Sequence, residues 1–249
     1  MGDEPIWQPL HDLLQRIAEE GRNVAFWLRD DDAVEPTPAL DRLLALTSRF
    51  AVPLGLAVIP AFTGRPLVDR LRDESHTTVL VHGWSHENHA AGRGKKCELG
   101  AERPQDVVLG ELRDGLDKLK TLYPTQLEPM LVPPWNRVAK ALLPQLPASG
   151  FKAVSVYGEA EQQSPIKLVN THVDIIDWVG TRGCRPHSEL VAVLMAELER
   201  RISGSDEPIG VLTHHLVHDD ACWDFMAKLF EATAGSGAVR WHRVRELMI

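Results

Sequence analysis

The sequence predicts an α/β protein whose parallel strands, about seven in number, form a barrel. Short apolar segments alternate with longer segments of helical periodicity along the whole chain. Alternating strand and helix units favour parallel strands joined by right-handed crossovers, either in a doubly wound sheet or in a barrel, and seven or eight strands favour the barrel. No linker rich in Pro, Gly or Ser divides the chain. Residues 1–249 are therefore expected to form a single domain.

Several predicted strands are apolar on both faces, which is typical of a buried parallel sheet. The predicted strands are residues 23–29, 54–59, 77–82, 129–132, 152–157, 171–176 and 209–214. The predicted amphipathic helices are residues 37–50, 104–122, 137–149, 187–203 and 219–234. Thr37 is expected to cap the first of these helices, with Pro38 in its first turn.

Composition and charge exclude several classes of partner. The net charge of −8 and the pI near 5.8 argue against binding to a nucleic-acid backbone, which requires a basic surface. The first residues are acidic and amphipathic, and no run of about 18 apolar residues occurs, so we expect a cytoplasmic protein with no membrane partner. Cys97, Cys184 and Cys222 are far apart in the sequence, which indicates ordinary buried residues rather than a disulfide or a zinc–thiolate site.

Unusual polar residues follow the predicted strands. Active sites of such barrels collect where strands end and loops begin, so these residues are expected to share one rim. The groups are Asp30, Asp31 and Asp32 after the first strand, His82 and His86 after the third, Pro134, Trp135 and Asn136 after the fourth, Asp174 and Asp177 with the sixth, and His214 and His215 after the seventh.

The segment "HGWSH" and the three consecutive aspartates together indicate a metal site. Adjacent carboxylates repel one another unless a cation or a shared proton relieves them, although an isolated Asp triplet is more often a solvated turn. His82 ends a strand and Gly83 permits a sharp turn, so His86 and His82 could converge on one ion. Imidazole nitrogen suits zinc and neighbouring first-row metals, and a carboxylate could complete a three-ligand site.

These residues resemble the motifs of the NodB-like polysaccharide deacetylases, carbohydrate esterase family 4. The Asp-Asp motif is matched best by Asp31 and Asp32, with Asp30 and Asp31 as an alternative register. The second motif is similar to "HGWSH" and the third to "VPPWN", where Val132 stands at the position of an arginine. Arg29 or Arg137 could replace that arginine. The fourth and fifth motifs resemble Asp177-Trp178 and Leu212-Thr213-His214.

The resemblance implies a distorted (β/α) barrel that holds a divalent metal on Asp32, His82 and His86. Zn²⁺ is expected first, with Co²⁺, Ni²⁺, Mn²⁺ or Fe²⁺ as alternatives. Asp31 would act as the general base, and His214, oriented by Asp177, as the general acid. The substrate-binding residues implied by the motifs are Pro134, Trp135, Trp178 and Leu212.

The predicted function is metal-dependent removal of an N-acetyl or other N-acyl group from an oligosaccharide, a sugar-like molecule or another small soluble substrate. Lys95 and Lys96 could meet an acidic group of that substrate, or could simply be solvated. One alternative is a non-catalytic member of the fold that binds metal or carbohydrate, which the residue Val132 motivates. Another is a different metal-dependent hydrolase on a related barrel, cleaving a cyclic amide or a phosphoester.

Overall fold

The sheet in the computed structural model, which describes residues 4–92 and 94–249, consists of parallel strands. The strands are β1 (Val24–Ala33), β2 (Leu54–Val58), β3 (Thr77–His82), β4 (Leu127–Val132), β5 (Ala153–Val154), β6 (Lys167–Leu168), β7 (Val173–Asp174), β8 (Ile209–Thr213) and β9 (Val239–Trp241). Their order is β6-β5-β4-β3-β2-β1-β8-β7, and β9 pairs with β1. The sheet curves into a half-barrel, which agrees with the predicted distorted barrel.

The helices cover the outside of this sheet and begin where the sequence provides start signals. They are α1 (Glu4–Glu19), α2 (Pro38–Arg49), α3 (Arg65–Leu71), α4 (Gln105–Leu122), α5 (His187–Ile202), α6 (Asp220–Thr233) and α7 (Val244–Leu247). The predicted cap of α2 is confirmed, because the Leu40 backbone N–H donates to Thr37 Oγ1 at 3.0 Å. Within the described residues, no helix combines the length and the apolar character needed to cross a bilayer.

The predicted segments agree with most of these elements. Each of the seven predicted strand segments overlaps a strand, although β1 extends to Ala33 and β4 begins at Leu127, and β6 and β9 are additional short strands. The predicted helix at 137–149 is wrong: this segment forms only two short 3₁₀ turns, at Leu143–Gln145 and Pro147–Ser149. Pro144 and Pro147 lack the backbone N–H that an α-helix interior requires. Helices α1, α3 and α7 lie outside the predicted helical segments, and α3 and α7 are too short to show clear periodicity.

Two buried clusters divide the residues of β1 between the two faces of the sheet. Phe26 and Leu28 belong to the large cluster that packs beneath the helices. Trp27 belongs to a smaller cluster built mainly from the inward faces of β1 to β5. Because side chains alternate along a strand, Arg29 and Asp31 continue the inward face of Trp27. This alternation carries charged groups to the mouth of the half-barrel.

Candidate active site

The end of β1 presents two neighbouring carboxylates to the same cavity. Strict alternation would place Asp30 and Asp32 on one face and Asp31 on the other. The pairing of β1 with β2 shifts between Asp30 and Ala33, and Asp32 has a φ of +73° in the left-handed region. This irregularity redirects the Asp32 carboxylate, as β-bulges commonly do beside functional sites. Asp31 and Asp32 therefore both line the cavity.

Asp30 points away from that cavity and contacts His215. Its Oδ2 accepts the His215 backbone N–H at 2.8 Å, and its Oδ1 lies 2.5 Å from His215 Nδ1. Burial raises the pKa of Asp30 and outweighs the opposing effect of His215. The placement favours the Asp31–Asp32 register over the alternative that uses Asp30.

Asp32, His82 and His86 form a compact ligand set. One donor atom from each lies within 4.8 Å of the others, and the Nε2 atoms of His82 and His86 are 3.0 and 3.2 Å from Asp32 Oδ1. His82 Nδ1 lies 2.9 Å from the Val132 carbonyl oxygen, which fixes a proton on Nδ1 and leaves the Nε2 lone pair facing a carboxylate oxygen. Only a cation or a second proton relieves that contact. The residues therefore fit a divalent ion.

The pKa shifts in this ligand set reflect a balance between burial and the charges nearby. Burial alone would raise the pKa of Asp32, but the hydrogen bond with His82 and the nearby histidines lower it. Burial alone would lower the pKa of His82, and the charges of Asp31 and Asp32 outweigh it and raise the value. Burial lowers the pKa of His86, which favours the neutral imidazole that a metal ion needs.

The turn between the two histidines depends on Gly83 and on Glu98, which sequence reasoning missed. Gly83 has a φ of +55°, and a Cβ there would lie 2.1 Å from Glu98 Oε2. The buried Glu98 accepts the backbone N–H groups of Trp84 at 3.1 Å and Ser85 at 2.7 Å through Oε1. Glu98 thus fixes the turn that presents His86. It follows a basic loop segment that gave no signal for this role.

Arg29 holds Asp31 in the absence of an arginine at position 132. Its Nε and Nη2 lie 3.0 Å from Asp31 Oδ1 and Oδ2, and both side chains are buried. Nη2 also donates to Asn136 Oδ1 at 2.6 Å, and Nη1 donates to Ser155 Oγ at 2.7 Å. Of the two arginines that the sequence suggested, Arg29 therefore occupies the position beside Asp31.

His214 lies between the carboxylate of Asp31 and the ring of Trp178. Its Nε2 is 3.9 Å from Asp31 Oδ2, and its ring meets the edge of Trp178 at 4.7 Å between centroids. Its Nδ1 is buried and has no hydrogen-bond partner within the described part of the chain. The side chain is therefore positioned by packing and by nearby charge.

Asp177 lies outside this arrangement, and Asp174 lies inside it. The Asp177 carboxylate accepts the backbone N–H groups of Gly180 at 2.9 Å and Thr181 at 3.0 Å. Asp174 lines the cavity and accepts the Trp178 indole N–H at 2.9 Å. Burial raises the pKa of Asp174, an effect that the nearby His214 opposes. The predicted contact of Asp177 with His214 is thus not made in this conformation.

The cavity has a volume of about 370 Å³, within the range of small-ligand sites. Of the predicted substrate-binding residues, Trp135 and Trp178 line it, whereas Pro134 and Leu212 are buried behind it. Left-handed backbone is concentrated here, which is typical of functional sites. The non-glycine residues of the cavity with positive φ are Asp32, His86, Trp135, Asn136 and Arg182.

The sequence itself matches no family model and no curated protein. Solved structures do match over most of the chain. A Mycobacterium smegmatis protein assigned to the polysaccharide deacetylases has a TM-score of 0.66 at 16% identity, over 92% of this chain and 90% of that chain. The chain has the fold of the family 4 carbohydrate esterases.

Two further structures with the family 4 fold cover similar shares. A family 4 acetyl xylan esterase from Clostridium thermocellum, in complex with a cobalt ion, has a TM-score of 0.55 at 14% identity, over 90% of this chain and 89% of that chain. A peptidoglycan deacetylase from Bacillus subtilis has a TM-score of 0.54 at 16% identity, over the same shares. The half-barrel that positions the cavity is therefore the family 4 half-barrel.

A second cluster of potential ligands lies at the start of α6. Donor atoms of Cys184, Asp219 and Cys222 lie within 4.8 Å of one another. The Asp219 carboxylate accepts the backbone N–H groups of Cys222 at 2.8 Å and Cys184 at 3.0 Å, so it caps α6 and joins it to the segment after Trp178. The expectation of ordinary buried cysteines is confirmed for Cys222 only, because Cys97 and Cys184 are partly exposed, and folding brings Cys184 and Cys222 together.

Proposed function

We propose that the protein is a metal-dependent hydrolase that removes an acetyl or other small acyl group from the nitrogen of a sugar-like substrate. The observation that carries the proposal is the position of Asp31. This carboxylate is held by Arg29, lies beside the Asp32–His82–His86 ligand set, and faces His214 at 3.9 Å. A base, an acid and a metal site thus share one cavity, as amide hydrolysis requires.

Asp32, His82 and His86 would hold the ion. A divalent ion supplies Lewis-acid activation of the substrate carbonyl and of a water molecule. The hydrogen bond between His82 Nδ1 and the Val132 carbonyl orients the imidazole toward the ion. The turn fixed by Glu98 orients the His86 imidazole toward the ion.

Asp31 would act as the general base. Arg29 engages both of its oxygens, and this two-point contact fixes the plane of the carboxylate at the mouth of the half-barrel. The carboxylate would accept the proton of the attacking water. A backbone N–H near Trp135 would donate to the oxygen of the tetrahedral intermediate.

His214 would act as the general acid. Its Nε2 faces the cavity, where it would donate a proton to the departing amine nitrogen. Trp178 packs edge-on against its ring, and the Trp178 indole N–H donates to Asp174 at 2.9 Å. We therefore propose that Asp174, in place of Asp177, orients His214 by holding Trp178 against its ring. Trp135 and Trp178 would flank the acyl group.

The first experiment measures metal content and its consequence. Purified protein is analysed for bound metals, stripped with a chelator, and reloaded with Zn²⁺ or Co²⁺. Each sample is assayed on N-acetylated amino sugars, with acetate and free amine both quantified, and on O-acetylated sugars. Release of amine by metal-loaded protein alone supports the proposal. Release of acetate from esters only would replace the amide substrate with an ester.

Site variants separate the assigned roles. His82→Ala and His86→Ala should lose the metal, whereas Asp31→Asn and His214→Ala should keep it and lose turnover by about a hundredfold or more. Among the aspartates, Asp32→Asn should lose metal, and Asp30→Asn should retain it. A His214→Ala variant as active as the parent would contradict the acid role. Loss of metal from Asp31→Asn would shift the register by one residue.

The non-catalytic alternative rested on the missing arginine at position 132. The contact of Arg29 with Asp31 removes that motive. Inactivity on a broad panel of N-acyl compounds, despite one equivalent of bound metal, would nevertheless favour a binding protein. Products other than an amine and a carboxylic acid would identify a different hydrolase.

A further inference from the structure

Three cationic side chains line the candidate active-site cavity of a protein whose net charge is −8. Lys96 and Arg137 come from the segments beside Trp135, and Arg182 comes from the segment beside Trp178. Lys96 Nζ lies 5.9 Å from the centre of the Trp135 ring. The lining also includes Asp31, Asp32 and Asp174, so the cavity is formally neutral in an acidic protein, and its three cations point to a ligand.

None of these three side chains forms an ion pair with any residue in the ranges 4–92 and 94–249. The Arg137 guanidinium donates one hydrogen bond, from Nη1 to the Lys96 carbonyl oxygen at 2.8 Å, which holds the two segments together. Several other cations of this chain do pair with carboxylates. Examples are Arg70 with Asp41 and Glu74, Arg103 with Glu111, and Arg201 with Glu197.

Each carboxylate inside the cavity has an ionic or hydrogen-bonding partner other than these three cations. Asp31 is paired with Arg29, and Asp32 contacts two histidines. Asp174 accepts hydrogen bonds from the Trp178 indole and from the Ile176 backbone. A divalent ion at Asp32 would give the cavity a net positive charge.

We infer that Lys96, Arg137 and Arg182 form a binding site for an anionic group of the substrate, a carboxylate or a phosphate. This inference rests on the proposed function for the reaction that the bound substrate undergoes. Planar guanidinium groups match both oxyanions through paired hydrogen bonds, and Lys96 adds a mobile point charge. The substrate is then an N-acyl amino sugar that carries a negative charge near its acyl group.

The test compares three probes that share an N-acetyl amino sugar. These are N-acetylglucosamine, N-acetylglucosamine 6-phosphate and N-acetylmuramic acid, which add nothing, a phosphate and a carboxylate. Kd is measured by calorimetry on zinc-loaded protein, and KM is measured where turnover occurs. We expect one of the anionic probes to bind about tenfold more tightly than the neutral sugar, with the difference shrinking as salt is added. The tighter anion identifies the group.

Charge-removing variants test the residues. Arg182→Gln and Arg137→Gln should each reduce the preference for the anionic probe by about fivefold to tenfold, while metal content is retained. Lys96→Gln provides a third variant if one arginine variant folds poorly. Lys95→Gln is the matched control, because Lys95 is exposed and adjacent but does not line the cavity.

The outcomes separate this inference from the proposed function. Equal affinity for the neutral and both anionic probes, or a preference unchanged in all three variants, would overturn the anion site, even if the enzyme hydrolyses N-acetyl sugars. Tight anion binding without any amine release would uphold the site and refute the hydrolase. Binding by Lys95→Gln as weak as by Arg182→Gln would reduce the effect to general charge and refute the specific assignment.

Discussion

Replacing Arg29 with methionine is the most direct test of how the candidate base is held. Methionine keeps much of the apolar stem and removes the guanidinium. The side chains of Arg29 and Asp31 are 0% and 3% exposed, so neither charge can be solvated in place. In Arg29→Met the carboxylate of Asp31 would lie in a buried site without its counter-charge.

The size of the effect follows from the interactions that the guanidinium makes. Arg29 makes two contacts of 3.0 Å with Asp31, and further hydrogen bonds with Asn136 at 2.6 Å and Ser155 at 2.7 Å. Removal of one partner from a buried ion pair costs about 3–5 kcal/mol, chiefly because the remaining charge is uncompensated. We therefore expect the free energy of unfolding of Arg29→Met to fall by about that amount at neutral pH.

The assay combines urea unfolding with kinetics and metal analysis. Arg29→Met should retain the metal, because Arg29 is not a ligand, and should lose most of its turnover. Asp31→Asn in the same background should recover stability but not activity, with a coupling energy of about 1–3 kcal/mol.

Arg29→Lys is the control for charge without the planar two-point contact, and it keeps the experiment interpretable if Arg29→Met does not fold. We expect it to be more stable than Arg29→Met and still impaired in turnover. The reasoning would be refuted if the free energy of unfolding of Arg29→Met lay within about 1 kcal/mol of that of the parent and turnover were kept, because Asp31 would then not depend on the pair.

Three further predictions concern Gly83 in the turn before His86, the partly buried His218, and the α6 cap Asp219. Gly83→Ala should weaken metal binding and lower the free energy of unfolding by about 2 kcal/mol or more, because its Cβ would meet Glu98 in a left-handed backbone. Metal titration measures the affinity, and an affinity equal to that of the parent would contradict the prediction. Burial lowers the pKa of His218 from 6.5 to about 3. The unfolded chain then binds more protons below pH 6.5, so stability present above that pH is lost as the pH falls. As the pH is lowered from about 7.5 to about 5, the free energy of unfolding should fall by up to about 2 kcal/mol less in His218→Asn than in the parent. Equal decreases in the two proteins, measured by urea unfolding, would refute the lowered pKa of His218. Asp219→Ala should lower the free energy of unfolding by about 1–2 kcal/mol through the lost cap of α6, whereas Asp219→Asn should retain most of it.

Some features of the site were accessible from sequence because they follow from strand geometry. The carboxyl ends of parallel strands meet at one edge of a sheet. Residues at or just after the ends of β1 and β3 therefore converge, whatever their separation along the chain. Asp32, His82 and His86 meet for this reason. Thr37 caps α2 for an equally local reason, since its side chain reaches a backbone N–H three residues ahead.

Other features depend on contacts that no local pattern encodes. Asp174 lines the cavity and Asp177 caps its own turn, although both follow the same strand and both are plausible partners of His214. The segment 137–149 has helical periodicity, but its prolines remove the hydrogen-bond donors that a helix interior needs. Glu98 gave no sequence signal, because its role depends on reaching backbone N–H groups across a loop.

Periodicity and chain direction are local properties of the chain. They are therefore enough to predict that parallel strands alternate with helices and that acidic and imidazole side chains collect at the strand ends. The ion pair of Arg29 with Asp31 and the approach of Cys184 to Cys222 arise only in the folded chain. The same is true of the left-handed backbone at Asp32, which turns a second carboxylate into the cavity. These outcomes depend on which distant side chains are buried together, and burial is settled only when the whole chain packs.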